Sequence, residues 1–401
     1  MRARREIQTE ALLKPLKVGL LSAYITRSGG GVFESLLTLA KSLQATSEIT
    51  PIVFGLSDEH LVKELVRYDE IGVCAFPRSG PRSFGFSHEL YRAVLKSEVD
   101  VLHLHGIWMF PSIVGGAWAK HTGKPYIISP HGMLDKWIIS RNKWKKDIAR
   151  LVYENRNFSR AQILHALNVP EEEAIRSAFV DKSVVNIPNG VDLNSNKHSV
   201  VEFAARRPHI VFLSRLHEKK NVEGLLDAWF MIKDLVQERN YRLIIAGYGE
   251  PEYVERLRRK VLSISPQAPV EFVGAVFGEK KSELLTEARY LILPSYSEGL
   301  PMTVLEAWGS GTPALITPFC NLSQGIARGA AIEIGTSPEA IALGLTTALC
   351  ETAEQWNSRA KEAKRVVETD FSSKIVARRW VALYRSLVYG DGRADVGTVG
   401  L

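Results

Sequence analysis

The chain has 401 residues, of which 45% are hydrophobic and 24% charged, the balance of a soluble globular protein long enough for two cores rather than one. No apolar run approaches the roughly 18–20 residues of a membrane helix. Cys74, Cys320 and Cys350 lie far apart in no metal-ligand spacing, which suits buried thiols in a reducing cytosol. The formal charge of +7 is concentrated, since residues 136–160 hold eight Lys or Arg against two acids, and this points to a local anionic partner rather than to nucleic acid.

Residues 1–16 are charged, lack the apolar core of a signal peptide, and read as a leader. The first strand, KVGLLSAY over 17–24, leads to ITRSGGGVFESLLTLAKSL. There Gly29, Gly30 and Gly31 run directly into an amphipathic helix with Val32, Leu36, Leu39, Ala40 and Leu43 inward. Strand, Gly-rich loop and helix N-terminus bring backbone N–H groups toward a phosphate, although a tight turn explains the glycines equally well. The loop is not Gly-x-Gly-x-x-Gly and no acidic residue follows at the dinucleotide spacing, which disfavours a nicotinamide site.

Strands over 51–56, 72–77, 99–108 and 124–133 alternate with helices. VDVLHLHGIW places His103 and His105 on one strand face, and KPYIISPHGM ends in Pro130, His131 and Gly132. His105 and His131 therefore converge at strand C-terminal ends, where open parallel sheets bind ligands; packed histidines are the alternative. In the basic stretch Trp144, Ile148, Leu151 and Val152 recur at helical spacing, with Arg141, Lys143, Lys145, Lys146 and Arg150 around them and Trp137 just before. This reads either as a surface helix with its stripe in the core, or as a face that rests on anionic lipid headgroups. The strand QILHAL, a helix, and SVVNIPNGVDL close the first half, and polar residues 194–207 read as a linker.

The second half restarts with HIVFLSRLHEKKNVEGLLDAW, a strand, a loop and a helix, with Arg215 and Lys220 on the loop. Two fixed cations there suit a pyrophosphate, unless they are simply a solvated charged loop. YRLIIAGYGEPEY and VEFVGAVFGEKKSELLTEA follow as further strand–loop–helix units. YLILP then reads as a buried strand before SYSEGLPMTVLEAWGSGTP, where Gly299 permits a sharp turn and a helix opens near Pro301. The N–H groups of Met302, Thr303 and Val304 are then expected to point outward unpaired, an anion site. Glu298 and Glu306 flank it, and carboxylates accept hydrogen bonds from vicinal sugar hydroxyls. A C-terminal helix begins near Ser372 with Val376, Trp380, Leu383, Tyr384 and Leu387 as its buried stripe, before a Gly-rich tail from 390.

Glu-x7-Glu with GLPM after the first Glu and GTP after the helix resembles the donor-site motif of retaining GT-B glycosyltransferases of the group-1 (GT4) family. HGIWMFPS, SPHGML and IPNGVD are similar to strings in its bacterial exopolysaccharide and lipopolysaccharide members. Arg215-x4-Lys220 matches the family's diphosphate-binding pair, with Ser214 and Asn221 where glycines are usual. The resemblance implies an α/β fold of two Rossmann-like domains facing across a cleft, over 17–193 and 208–370, with a C-terminal helix over 371–389 packing back toward the first domain. It implies that Gly30 and Gly31 lie near the donor phosphates, that the backbone at Gly274 and Val276 meets the nucleobase, and that His131 sits near the reacting sugar.

The implied reaction moves a hexose from a nucleotide diphosphate sugar to a hydroxyl of a glycan or polyprenyl-diphosphate-linked acceptor, with configuration retained. Glu298 would orient the hexose, Glu306 the ribose, and a donor phosphate oxygen would serve as the base. No Asp-x-Asp occurs, so Arg215, Lys220 and the helix end are expected to replace a divalent metal, and no cofactor is expected. The expected location is cytoplasmic, peripheral at the inner face of the cytoplasmic membrane. Competing readings are a two-domain UDP-sugar 2-epimerase, a non-catalytic nucleotide-sugar-binding protein, and a glycogen-phosphorylase-like enzyme, for which no convincing pyridoxal phosphate lysine is present.

Overall fold

The computed structural model describes residues 14–135, 139, 143–193, 202–265 and 267–390. They form two compact units, one running to Gly190 and resuming at Ser373, the other comprising Val191–Ser372. The first is built on a parallel sheet in the order β3-β2-β1-β4-β5-β6-β7. Its strands are β1 (Leu16–Ser22), β2 (Ile49–Leu56), β3 (Gly72–Phe76), β4 (Val101–His105), β5 (Tyr126–Ser129), β6 (Ile163–Ala166) and β7 (Ser183–Asn186). Apart from Lys17, every β1 residue is buried, as expected of a strand covered on both faces. On one face Val18 and Leu20 pack with the helices Gly31–Gln44 and Ser373–Tyr389. On the other, Leu21 and Leu104 pack with the helices His88–Leu95 and Phe110–Thr122.

The second unit repeats the architecture with six parallel strands in the order β10-β9-β8-β11-β12-β13. These are β8 (Arg207–Leu213), β9 (Arg242–Ala246), β10 (Val270–Gly274), β11 (Ala288–Leu293), β12 (Ala314–Ile316) and β13 (Ala331–Glu333). In each sheet the strand order reverses once, between β1 and β4 and between β8 and β11. Loops leaving the C-terminal ends of such neighbouring strands diverge and leave a crevice for ligand.

Several expectations are corrected. Phe33, not Val32, is the core residue at the start of the Gly31–Gln44 helix, and Val32 is half-buried. The first unit ends at Gly190, because Val191 already bridges Ser372 and donates its N–H to Phe371 O at 2.8 Å. Residues 202–206, read as linker, belong to the second unit, into which Phe203 and Arg206 pack. Arg206 is buried and its guanidinium donates to Leu285 O, Ala288 O, Thr312 Oγ1, Ser310 O and Gly311 O. The rest of the expected linker, 194–201, lies outside the described residues, as do leader residues 1–13 and tail residues 391–401.

The largest correction concerns the basic stretch. Lys143–Ala149 is α-helical, Arg150–Glu154 forms a π-turn, and Asn155–Arg160 resumes the α-helix. The extra residue of the π-turn resets which side faces inward, so Glu154, Asn157 and Phe158 are buried. The apolar stripe is left in solvent: Trp144 is 63% exposed, Ile148 54%, Leu151 77% and Val152 57%. The core reading of that stripe is therefore overturned. Trp137 and Arg141 lie outside the described residues. Among the described residues no helix is long and apolar enough to cross a membrane.

Candidate active site

In the second unit the loops after β8 and β11 are stitched together at the strand-order reversal. Tyr296 N–H donates to Lys219 O at 2.9 Å, and Tyr296 Oη donates to Asn221 Oδ1 at 2.9 Å. Asn221 takes a left-handed φ of +56° and donates through Nδ2 to Pro294 O at 3.2 Å and Thr336 O at 2.8 Å. Asparagine tolerates that conformation better than other side-chain-bearing residues, and its amide makes three bonds that a glycine could not make. Ser214 N–H donates to Ala246 O, and Leu216 N–H to Tyr248 O at 2.8 Å, which fixes the backbone on either side of Arg215. That approach needs Gly247, at φ +151°, where a Cβ would stand 1.9 Å from Ser214 O.

Lys220 Nζ is ion-paired with Glu298 Oε1, with side chains 17% and 10% exposed. Ser295 Oγ donates to the same oxygen at 2.6 Å. Glu298 Oε2 has no partner among the described residues, and Arg215 is exposed with none either. Asn321 Nδ2 holds the carbonyls of Glu298 and Gly299 at 2.7 and 3.0 Å. Gly299 does not take a left-handed φ, so that fastening, rather than a glycine-only turn, shapes the loop.

The helix Met302–Gly309 follows, with Pro301 in extended conformation as its cap rather than as its first turn. Val304 N–H turns back to Pro301 O at 3.1 Å, which corrects the expectation of three outward donors. Met302 and Thr303 keep N–H groups without a partner among the described residues. Further along, Glu306 pairs with Lys281 at 2.7 Å, a partner the sequence did not suggest. Gly274, at φ +75°, has its carbonyl taken by Gly247 N–H at 2.7 Å, whereas Val276 makes no such bond among the described residues. The arrangement offers a guanidinium, an ammonium and a helix N-terminus to an anion, beside a carboxylate with a free oxygen.

In the first unit, Gly30 has φ +55° and ψ −128°, a conformation that favours glycine, and Gly29 has no room for a Cβ, which would meet Tyr24 Cβ at 2.4 Å. Gly31 sits in open space as the first helical residue. Asp58 anchors the loop by accepting from Thr26 Oγ1 at 2.5 Å and Ser28 Oγ at 2.6 Å. Gly31 and Val32 N–H groups have no partner among the described residues.

His105 and His131 meet at the ends of β4 and β5, with His105 Nδ1 2.9 Å from His131 Nε2 and the rings stacked at 27°. His131 has a left-handed φ of +53°, and Gly132 N–H donates to Glu171 Oε1 at 2.6 Å, so the loop is held from two sides. Behind it runs a buried chain that sequence reasoning missed. His165 Nε2 lies 2.6 Å from Ile187 O, Ser129 Oγ 2.6 Å from both His165 Nδ1 and His103 Nε2, and Tyr384 Oη 2.8 Å from His103 Nδ1. A carbonyl only accepts, so His165 carries its proton on Nε2. Ser129 then donates to His165, His103 donates to Ser129, and Tyr384 donates to His103. Every proton in this network is assigned without a charge. His165 in QILHAL occupies a strand position like that of His103, and this alternation was the available signal.

Burial disfavours the imidazolium throughout. It pushes His131 down to about 4 and His165 to about 3, and holds His103 and His105 well below the usual histidine range. In the unfolded chain the same rings take up protons below about 6.5, so the unfolded state binds more protons and stability falls as pH drops through that value toward the folded pKa values. At one unit below 6.5, each of the buried rings His103, His105 and His165 should cost on the order of 1 kcal/mol. Thermal denaturation between pH 7 and 5 should therefore show a steadily falling Tm. A Tm that stays level or rises on acidification over this interval would contradict the neutral assignment.

Residues 29–195 match the model of Glycosyltransferase Family 4, and residues 194–365 match that of Glycosyl transferases group 1. D-inositol 3-phosphate glycosyltransferase 2 of Catenulispora acidiphila is 26% identical over 332 residues, covering 78% of this chain and 73% of its own. The UDP-Gal:alpha-D-GlcNAc-diphosphoundecaprenol alpha-1,3-galactosyltransferase of Escherichia coli is 24% identical over 253 residues, covering 57% of this chain and 60% of its own. Among solved structures, HepE of Anabaena in complex with UDP and glucose superposes with a TM-score of 0.75 at 17% identity, over 92% of this chain and 100% of that one, a likeness of fold. With two Rossmann-like parallel-sheet units and both family models matched in tandem, the chain belongs to the group-1 glycosyltransferases of GT-B fold.

Proposed function

We propose that the protein transfers a hexose from a nucleotide diphosphate sugar to a hydroxyl of an acceptor glycan, with retention at the anomeric carbon. The observation that carries this reading is the convergence at the β8/β11 reversal of Arg215, of Lys220 held on Glu298, and of the free N–H groups of Met302 and Thr303. As the bond from the anomeric carbon to the diphosphate lengthens, the sugar ring becomes positive and the leaving group negative. Cations and N–H groups already in place stabilise that second charge with little reorganisation. Lys220 exchanges its carboxylate for a phosphate oxygen, and Glu298 then accepts hydrogen bonds from the hexose. Glu306 accepts from the ribose and the backbone at Gly274 and Val276 meets the base. On this reading the N–H groups of Gly31 and Val32 in the first unit serve the donor phosphates, and His131 serves the reacting sugar.

The acceptor oxygen bonds to the anomeric carbon, the bond to the diphosphate breaks, and the hydroxyl proton passes to a phosphate oxygen of the leaving group. Attack and departure then share one face, which keeps the configuration. With donor bound, Glu298 is occupied by Ser295 and by the hexose hydroxyls, which supports a phosphate oxygen rather than this carboxylate as the base. Arg215 and Lys220 also fill the place of a divalent metal, so none is required. Either residue changed to Ala should lower kcat/KM at least tenfold, since a charge-assisted contact is worth roughly 1.5–3 kcal/mol. The double variant should fold yet be nearly inactive, and EDTA should leave the wild type unaffected. Wild-type turnover in the double variant, or loss in EDTA restored by magnesium or manganese, would refute these roles.

A lipid-linked acceptor fits a relative named for a diphosphoundecaprenol substrate and also fits the surface of the first unit. Lys143, Lys145 and Lys146 stand on the helix that turns Trp144, Ile148, Leu151 and Val152 to solvent, an apolar face rimmed by cations. Anionic headgroups satisfy both halves of that face, and we assign the protein to the inner surface of the cytoplasmic membrane. Each Lys or Arg there contributes on the order of 1 kcal/mol. Co-sedimentation with vesicles should require anionic lipid and weaken with salt. Binding unchanged when Lys143, Lys145 and Lys146 are together replaced by Glu would rule this face out.

A further inference from the structure

Two histidines share one hydrogen bond at the ends of β4 and β5, and the surroundings decide which of them owns the proton. His105 is buried, and its Nε2 reaches no polar atom among the described residues. It borders two cavities, one lined also by His131, His165 and Trp380, the other by Tyr24, Met109 and Met133. His131 is half-buried, and its Nδ1 is left without a partner among the described residues.

Three arrangements fit a separation of 2.9 Å. A shared imidazolium puts a net charge into a pocket where burial disfavours it. If His131 Nε2 donates, the proton of His105 must sit on Nε2, where it becomes a buried donor with no acceptor. If His105 Nδ1 donates, the atom without a partner is a bare nitrogen, and the remaining proton lies on His131 Nδ1. An orphaned buried N–H is the rarer and costlier of the two situations.

We propose that His105 is the positioning residue that fixes His131 in its Nδ1–H form, so that His131 meets the sugar as a neutral hydrogen-bond donor and not as a base. This rests on the reading above that His131 faces the reacting sugar. The neighbouring chain supports it from outside the pair. His103 and His165 are pinned in the opposite, Nε2–H, form by Ile187 O and Ser129, and the His103 ring lies 4.1 Å from that of His105, tilted at 37°. The core therefore holds each ring in one form, with two of each kind.

The test is a long-range proton–nitrogen correlation spectrum of the full-length, nitrogen-15-labelled protein at pH 7, assigned by loss of signals in single variants. The expected result is Nδ1–H for His105 and His131 and Nε2–H for His103 and His165. His131 in the Nε2–H form overturns the proposal. Kinetics give a second readout that a merely structural role would not move. His105→Asn places an amide nitrogen where Nδ1 was, whereas His105→Phe keeps a ring and removes the donor. The Phe variant should lose at least tenfold in kcat with little change in donor KM, and the Asn variant should recover most of that loss. Equal losses in both overturn the positioning role, and if the Phe variant does not fold, the wild-type spectrum still decides. Wild-type turnover in His131→Ala would instead remove the sugar-facing role of His131, a failure of the underlying reading that leaves the spectrum unchanged.

Discussion

The ion pair between Lys220 and Glu298 is the constraint on which the candidate site of the second unit depends. Both side chains are largely out of water, so neither can lose its partner without exposing an uncompensated charge. The pair consequently fixes the spacing of the loops after β8 and β11, with Asn221 and Tyr296 bonding alongside it. A ligand that enters has to replace what it displaces. An anion can do this for Lys220, and a set of hydroxyls can do it for Glu298. No purely apolar molecule can do either. The chemistry of any ligand that can open the pair is thus set before it arrives.

The first unit reaches the same rigidity by neutral means. Its buried polar chain from Tyr384 through His103, Ser129 and His165 to Ile187 O contains no ion and leaves none of these bonds unmatched. Such a network costs little if complete and much if one member is missing, so it selects one seating of the Ser373–Tyr389 helix on the sheet. Trp380 reinforces that choice by stacking against Tyr384 at 5.4 Å and packing against the tilted His103 ring at 4.6 Å. Helix docking and the seating of the β4 and β5 loop residues are therefore parts of one packing problem.

What was legible in the amino-acid sequence follows from how local each signal is. Strand β1 could be placed because a strand covered on both faces is apolar along its whole length, and the Glu298–Glu306 loop and helix because turn, helix start and acid spacing all lie within one short stretch. Periodicity alone failed at the basic helix. Trp144, Ile148 and Leu151 obey a 3.6-residue repeat, but the π-turn inserts a residue before Glu154 and a different side becomes the inner one. Arg206 was unreadable for another reason. Its acceptors come from residues 285–312, so nothing near 206 marks it as buried. Gly247 was visible only as part of a Gly-rich turn. Its necessity lies in the approach of Ser214 O, a contact between two strands' ends.

The π-turn has a further consequence for the exposed basic helix. Glu154 accepts the Trp108 N–H at 2.6 Å, and Tyr153 Oη donates to Trp108 O at 2.9 Å. Trp108 holds an uncommon left-handed φ of +73°, and its indole N–H donates to Met133 O at 3.3 Å, two residues past His131. Both bonds come from inside the π-turn, which therefore faces Trp108 with an acceptor and a donor at once. Burial also pushes the Glu154 carboxyl up, so its bonds from Trp108 and Asn157 are what keep it in place as an acceptor. The cation-rimmed helix is therefore not an appendage to the unit. It braces the loop that follows β4, and that loop in turn braces the one that carries His131.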